Sequence, residues 1–106
     1  MLKIHESAIR CCTSVGEIAN QVARRDGDLA NQMRRAMASV ALNISEGGGS
    51  QGKNRRARYF NALGSALEVT TALKVAVAFS YVGSVDEALL DELDRIRATQ
   101  YRVLHR

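Results

Sequence analysis

Ile4, Ala8, Cys11, Val15, Ile18 and Val22 recur in alternating steps of four and three. That spacing lines one face of an α-helix and no face of a strand. A helical stripe returns in Leu29, Met33, Ala36, Met37, Val40 and Ile44, and the same stepping in Ala62, Ala66, Val69, Leu73 and Ala76 and in Leu89, Leu93, Ile96, Gln100 and Val103. Four stripes with short breaks predict an all-α chain. Short connections make successive helices antiparallel, so the expected architecture is an up-down-up-down four-helix bundle. The helices read as roughly 3–25, 28–46, 52–82 and 85–105, in one domain spanning residues 1–106. A chain of 106 residues supports a modest core and not a large enclosed pocket.

The chain has no proline, so glycine carries the punctuation. After "RRDGD", Asp28 is the expected N-cap of the second helix, its carboxylate accepting from first-turn N–H groups. Gly47 is expected to close that helix in the left-handed conformation, and Gly83 to end the third. "SVDE" fits a capping box, with Ser84 as N-cap and Glu87 three residues on. Gly16 and Gly64 fall inside helices, where close backbone approach is the expected reason for them. The third helix has a second apolar stripe, Phe60, Leu63, Leu67, Thr70 and Val77. From Ala72 to Val82 it is apolar almost all round, with Lys74 the one charge. A helix apolar on more than one side in so small a chain predicts a homo-oligomer. The competing reading of that segment is a strand, since Val75, Val77 and Phe79 alternate with small residues.

Charge is uneven. Residues 24–58 hold eight cations (Arg24, Arg25, Arg34, Arg35, Lys53, Arg55, Arg56, Arg58) against Asp26, Asp28 and Glu46. That local excess of five exceeds the +4 of the whole chain, and a basic middle implies an acidic partner. No apolar run is long enough to span a bilayer, so no membrane role is expected. "MLKIHESAIR" has charges within its apolar pattern, unlike a signal peptide, which makes the cytoplasm the expected compartment.

Catalytic and cofactor chemistry find little footing. Gly47, Gly52 and Lys53 match part of the P-loop spacing, but Asn54 stands where Ser or Thr would hold magnesium, and a helix precedes instead of a strand. Cys11 and Cys12 are adjacent and staple nothing distant; helix packing is the expected role of Cys11, with Cys12 on its flank. No metal-ligand spacing occurs and Glu-x-x-His is absent. The best acids, Glu46 and Glu68, lie on different helices, and His5 and His105 lie near the termini. The expectation is a non-enzyme without cofactor or metal.

"QMRRAMASVALNISEGGG" followed by "YFNALGSALEVTTAL" resembles the four-helix-bundle family of proteins encoded in intervening sequences of bacterial large-subunit ribosomal RNA genes (S23-like). That family includes the accessory variability protein of diversity-generating retroelements. The resemblance rests on Arg34-Arg35, Ser39-Val40, Asn43-Ile44 with Glu46-Gly47, Phe60, and Gly64-Ser65 with Glu68, roughly residues 32–73. Ala41 departs from it, since many relatives carry proline there. The resemblance implies a homopentameric barrel with a basic surface. In the retroelement branch it implies work with a reverse transcriptase and template RNA.

Together these readings predict a basic, oligomeric RNA- or DNA-binding accessory protein. Lys53, Arg55, Arg56 and Arg58 would contact phosphate, with Arg24 and Arg25 as a second patch at the opposite end. Tyr59 would offer a stacking surface or pack in the core. A structural oligomer or protein adaptor is the alternative. Arg34 or Arg35 is expected to pair with Glu68, within or between subunits, and Glu46 with Arg55, Arg56 or the glycine N–H groups.

Overall fold

The structure is a computed structural model describing residues 2–49 and 51–105, Leu2 by its backbone alone. It contains four helices: α1 (Leu2–Val22), α2 (Gly27–Gly48), α3 (Gly52–Ala78) and α4 (Glu87–Leu104). Each packs beside its chain neighbours, and α1 closes the ring against α4. The result is the antiparallel up-down-up-down bundle, about 42 Å long. The α1–α2 and α3–α4 turns share one end. The α2–α3 turn shares the other with the start of α1 and the end of α4.

The core follows the four stripes, except that Ile4, Ile18 and Val103 are half-buried while Ala19 and Leu104 are buried. Ala8, Cys11, Val15, Ala19 and Val22 of α1 meet Ala30, Met33, Met37, Val40 and Ile44 of α2. From α3 come Ala62, Ala66, Val69, Leu73 and Ala76, and from α4 Leu89, Leu93 and Ile96. Gln100 is fully buried in line with them. Alanine dominates the α3 stripe, which lets that backbone approach its neighbours closely. The 72–78 segment is helical, so the strand reading is excluded. Polar ties fix the register: the Ser39 and Ser65 hydroxyls meet at 2.8 Å across α2 and α3. Asn43 donates back to Ser39 Oγ at 3.0 Å. Arg34 reaches Asn20 Oδ1 on α1 at 2.9 Å, and Arg10 meets Glu92 on α4 at 3.4 Å.

Several helix ends depart from the sequence expectations. Asp26, not Asp28, caps α2, accepting from Leu29 N at 3.0 Å; it has the extended backbone a cap requires, while Asp28 is already helical. Asp86, not Ser84, caps α4 by accepting from Ala88 N, which puts Glu87 at the first helical position, where no capping box can form. The first helix stops at Val22 and residues 23–25 form a turn. The third stops at Ala78, before Gly83. Its last carbonyls are taken by Ser80 N to Val77 O and Tyr81 N to Ala76 O, both 2.9 Å, with Ser80 left-handed at φ 62°. This is a Schellman closure built on serine. Ending there turns Val82 into the core, which a continuing helical register would have pointed elsewhere.

Gly47 does not close α2 in the left-handed conformation. It is helical and buried, α2 runs on to Gly48, and Gly49 caps it in the right-handed region. Among the described glycines the positive φ belongs to Gly52, at 61°, where the chain enters α3. Gly47 is instead required by Tyr59, whose ring occupies the space a Cβ would fill. The close approach expected at Gly16 and Gly64 is absent among the described residues; nothing beyond the local backbone lies within 4 Å of a Cβ added at either.

Candidate nucleic-acid interface

The basic cluster occupies the first two turns of α3. Helical spacing fans Lys53, Arg55, Arg56 and Arg58 around the axis, and all four are exposed. Cations at a helix N-terminus oppose its dipole, and three of them have compensating contacts. Arg58 Nη1 meets Glu46 Oε2 at 2.8 Å, linking α3 to the C-terminal turn of α2. Arg56 Nη1 donates to the Leu104 carbonyl at 3.0 Å, placing a cation on the C-terminus of α4. The Arg55 guanidinium stands 5.6 Å from the centre of the Tyr59 ring. Lys53 makes no hydrogen bond or ion pair among the described residues.

These contacts revise the expected pairings. Glu46 takes Arg58, a cation across the turn, two residues beyond Arg56 and three beyond Arg55. Arg34 turns to Asn20 and Asn31, and Arg35 and Glu68 are exposed with no ion pair between them inside the chain. Neither charge is buried within a single chain, so only a contact between subunits would desolvate them and call for the pair. Tyr59 is 1% exposed and packs in the core, so it offers no stacking face; the exposed ring beside it is Phe60.

Arg24 and Arg25 lie on the α1–α2 turn, at the far end as expected, and both are exposed. Arg25 stands 5.9 Å from the centre of the Tyr81 ring. Burial and the Asp26 carboxylate push Tyr81 above the usual phenol range, while Arg25 pulls it down. Asp26 and Asp28 share that turn and Asp86 and Glu87 open α4 nearby, so this patch is electrostatically balanced. The α2–α3 end is the basic one.

Sequence reasoning missed the groove between α3 and α4. It has a volume of about 680 Å³ and is lined by Phe60, Leu63, Gly64 and Leu67 facing Arg97, Tyr101 and Arg102. Phe60 is 66% exposed and Tyr101 55%. The second apolar stripe of α3 was the available signal, but it reads equally well as core. A smaller groove between α2 and α3, about 410 Å³, is bordered by Gln32, Gly64, Glu68 and Val75. Among the described residues no group of three or more His, Cys, Asp or Glu converges as a metal site. None of the helices is long and apolar enough to cross a membrane.

Comparison with curated proteins gives no match. A solved structure from Bacteroides thetaiotaomicron, described as a protein of unknown function from the S23 ribosomal protein family, superposes with a TM-score of 0.83. The match covers 95% of this chain and 97% of that one at 13% identity, so the likeness is one of fold. The sequence profile of the 23S rRNA-intervening sequence proteins matches residues 1–101. With that match running along nearly all of a four-helix chain, the protein belongs to the 23S rRNA-intervening sequence protein family.

Proposed function

We propose that this protein is a non-enzymatic, homo-oligomeric nucleic-acid-binding accessory protein of the cytoplasm. Its partner would be ribosomal RNA or the RNA of a reverse transcriptase complex. The observation that carries the reading is the basic end of the bundle. Lys53 and Arg55 are exposed there, beside Arg56 and Arg58, which neighbouring elements hold in position. An arginine fixed by one nitrogen keeps further donors in its planar fork for phosphate. Arg24 and Arg25 serve as a weaker second patch, since acids surround them.

Self-association uses the α2–α3 face. Arg35, Gly64 and Glu68 belong to the motif shared with the family, yet among the described residues Arg35 and Glu68 form no ion pair and no other helix packs within 4 Å of a Cβ on Gly64. A second copy gives them a role: close approach at Gly64 and an Arg35–Glu68 pair between subunits. Phe79, 60% exposed, adds apolar surface at the end of α3. The number five comes from the family resemblance. A ring would multiply the basic end and raise its potential.

The test is binding of labelled RNA and DNA at two salt concentrations, with mass measured by light scattering. The reading predicts an oligomer whose affinity falls steeply with salt, by roughly 0.7 to 0.9 in logarithmic slope per phosphate contact. An oligomer that binds neither nucleic acid at low salt would instead support the adaptor reading, to which the open α3–α4 groove is suited.

A further inference from the structure

We infer that the α3–α4 groove receives unpaired bases of a single strand, whose phosphates run on to the basic end. This inference rests on the nucleic-acid reading above and extends it to a substrate class and a site. Two aromatic side chains line the groove, Phe60 from α3 and Tyr101 from α4, and both are more exposed than covered. His105 stacks on the Tyr101 ring at 4.1 Å between centres and 19° between planes, so the C-terminal turn already presents a layered π surface. A ring clamped in this way loses little freedom when a base adds to the stack.

The groove's charge suits an anionic guest such as a nucleic acid better than a neutral or cationic one. Arg97 and Arg102 stand along its α4 side against one acid, Asp94, which Arg97 already pairs at 2.7 Å. Arg102 is left uncompensated apart from a 3.4 Å contact to Thr99. The groove also adjoins the basic end: Arg56, one turn before Phe60, donates to Leu104, one turn after Tyr101. Aromatic faces beside a cationic track are what sequence-tolerant single-strand binding requires, because every base has a π face. A duplex keeps its bases stacked internally and has no use for the groove.

Binding of a labelled 12-nucleotide oligouridine and of a 12-base-pair duplex tests this, with Phe60→Ala, Tyr101→Ala and Tyr101→Phe. Each alanine variant should weaken single-strand binding on the order of tenfold. The slope against salt and the duplex affinity should stay unchanged, and Tyr101→Phe should retain affinity. The chain has no tryptophan, so tyrosine emission reports directly. Oligouridine should quench it, and Tyr101→Phe should remove most of that quenching while still binding. Unchanged single-strand affinity and quenching in these variants overturn the inference and leave the phosphate reading standing. Equal losses for duplex and single strand overturn it too. A fall in oligomer mass in Phe60→Ala or Tyr101→Ala overturns it by giving the groove to a second copy. Wild-type protein that binds neither probe at low salt overturns both readings together.

Discussion

Gly47 of α2 and the Tyr59 ring of α3 leave no room for a methyl group between them: a Cβ on Gly47 would overlap Cε1 and come within 2.7 Å of Cδ1. Alanine normally stabilises a helix interior by about 1 kcal/mol relative to glycine. At Gly47 the sign should reverse, because the buried ring must shift, at a cost of about 1–3 kcal/mol. Gly48→Ala is the control, since nothing lies within 4 Å of its added Cβ. Thermal unfolding should show Gly47→Ala destabilised and Gly48→Ala neutral or slightly stabilised. Equal Tm values for the two would contradict the packing.

Ser80 bears the left-handed conformation that ends α3. A side chain there costs about 1–2 kcal/mol that glycine does not incur. Ser80→Gly should therefore raise stability by about 1 kcal/mol in denaturant unfolding, despite lengthening the list of glycines. A loss of stability would mean that the Ser80 side chain contributes a contact outweighing its strain.

The four stripes were legible because each repeats its apolar period over several turns, and they fixed the helix number and order. The caps were not. Asp26 and Asp28 are chemically equivalent candidates two residues apart, Ser84 and Asp86 are both good capping residues at the same spacing, and the choice depends on where tertiary packing starts each helix. Nor was the basic cluster's double role visible. That Arg56 would reach the Leu104 carbonyl and Arg58 the Glu46 carboxylate depends on which helix ends share one end of the bundle.

Gln100 sits fully buried on α4 with neither amide atom hydrogen-bonded among the described residues. Leucine has nearly the same volume and no polar atoms to desolvate. Gln100→Leu should stabilise the bundle by about 1–3 kcal/mol, read as a higher denaturant midpoint with an unchanged slope. A destabilised variant would show that the amide has a partner in solution.

Burial, reinforced by Glu92 and Cys12, pushes the Cys11 thiol up to about 12. Burial also raises Cys12. Because the folded value lies above the unfolded one, the Cys11 contribution to stability is complete below about pH 9. It is then lost as pH rises toward 12. At pH 8 a thiol reagent should leave Cys11 unmodified in folded protein and react with both cysteines after denaturation. Fast labelling of Cys11 in native protein would contradict its place in the core.

Salt-dependent binding by Lys53→Gln/Arg55→Gln tests the central claim most directly. Arg56 and Arg58 tie α3 to its neighbours and are left intact, so the comparison avoids disturbing the bundle. The account predicts unchanged oligomer mass and a Tm close to wild type. The logarithmic salt slope for single-stranded RNA should flatten by about 1.4 per protomer engaged, two contacts at roughly 0.7 each. An affinity and slope identical to wild type would contradict it.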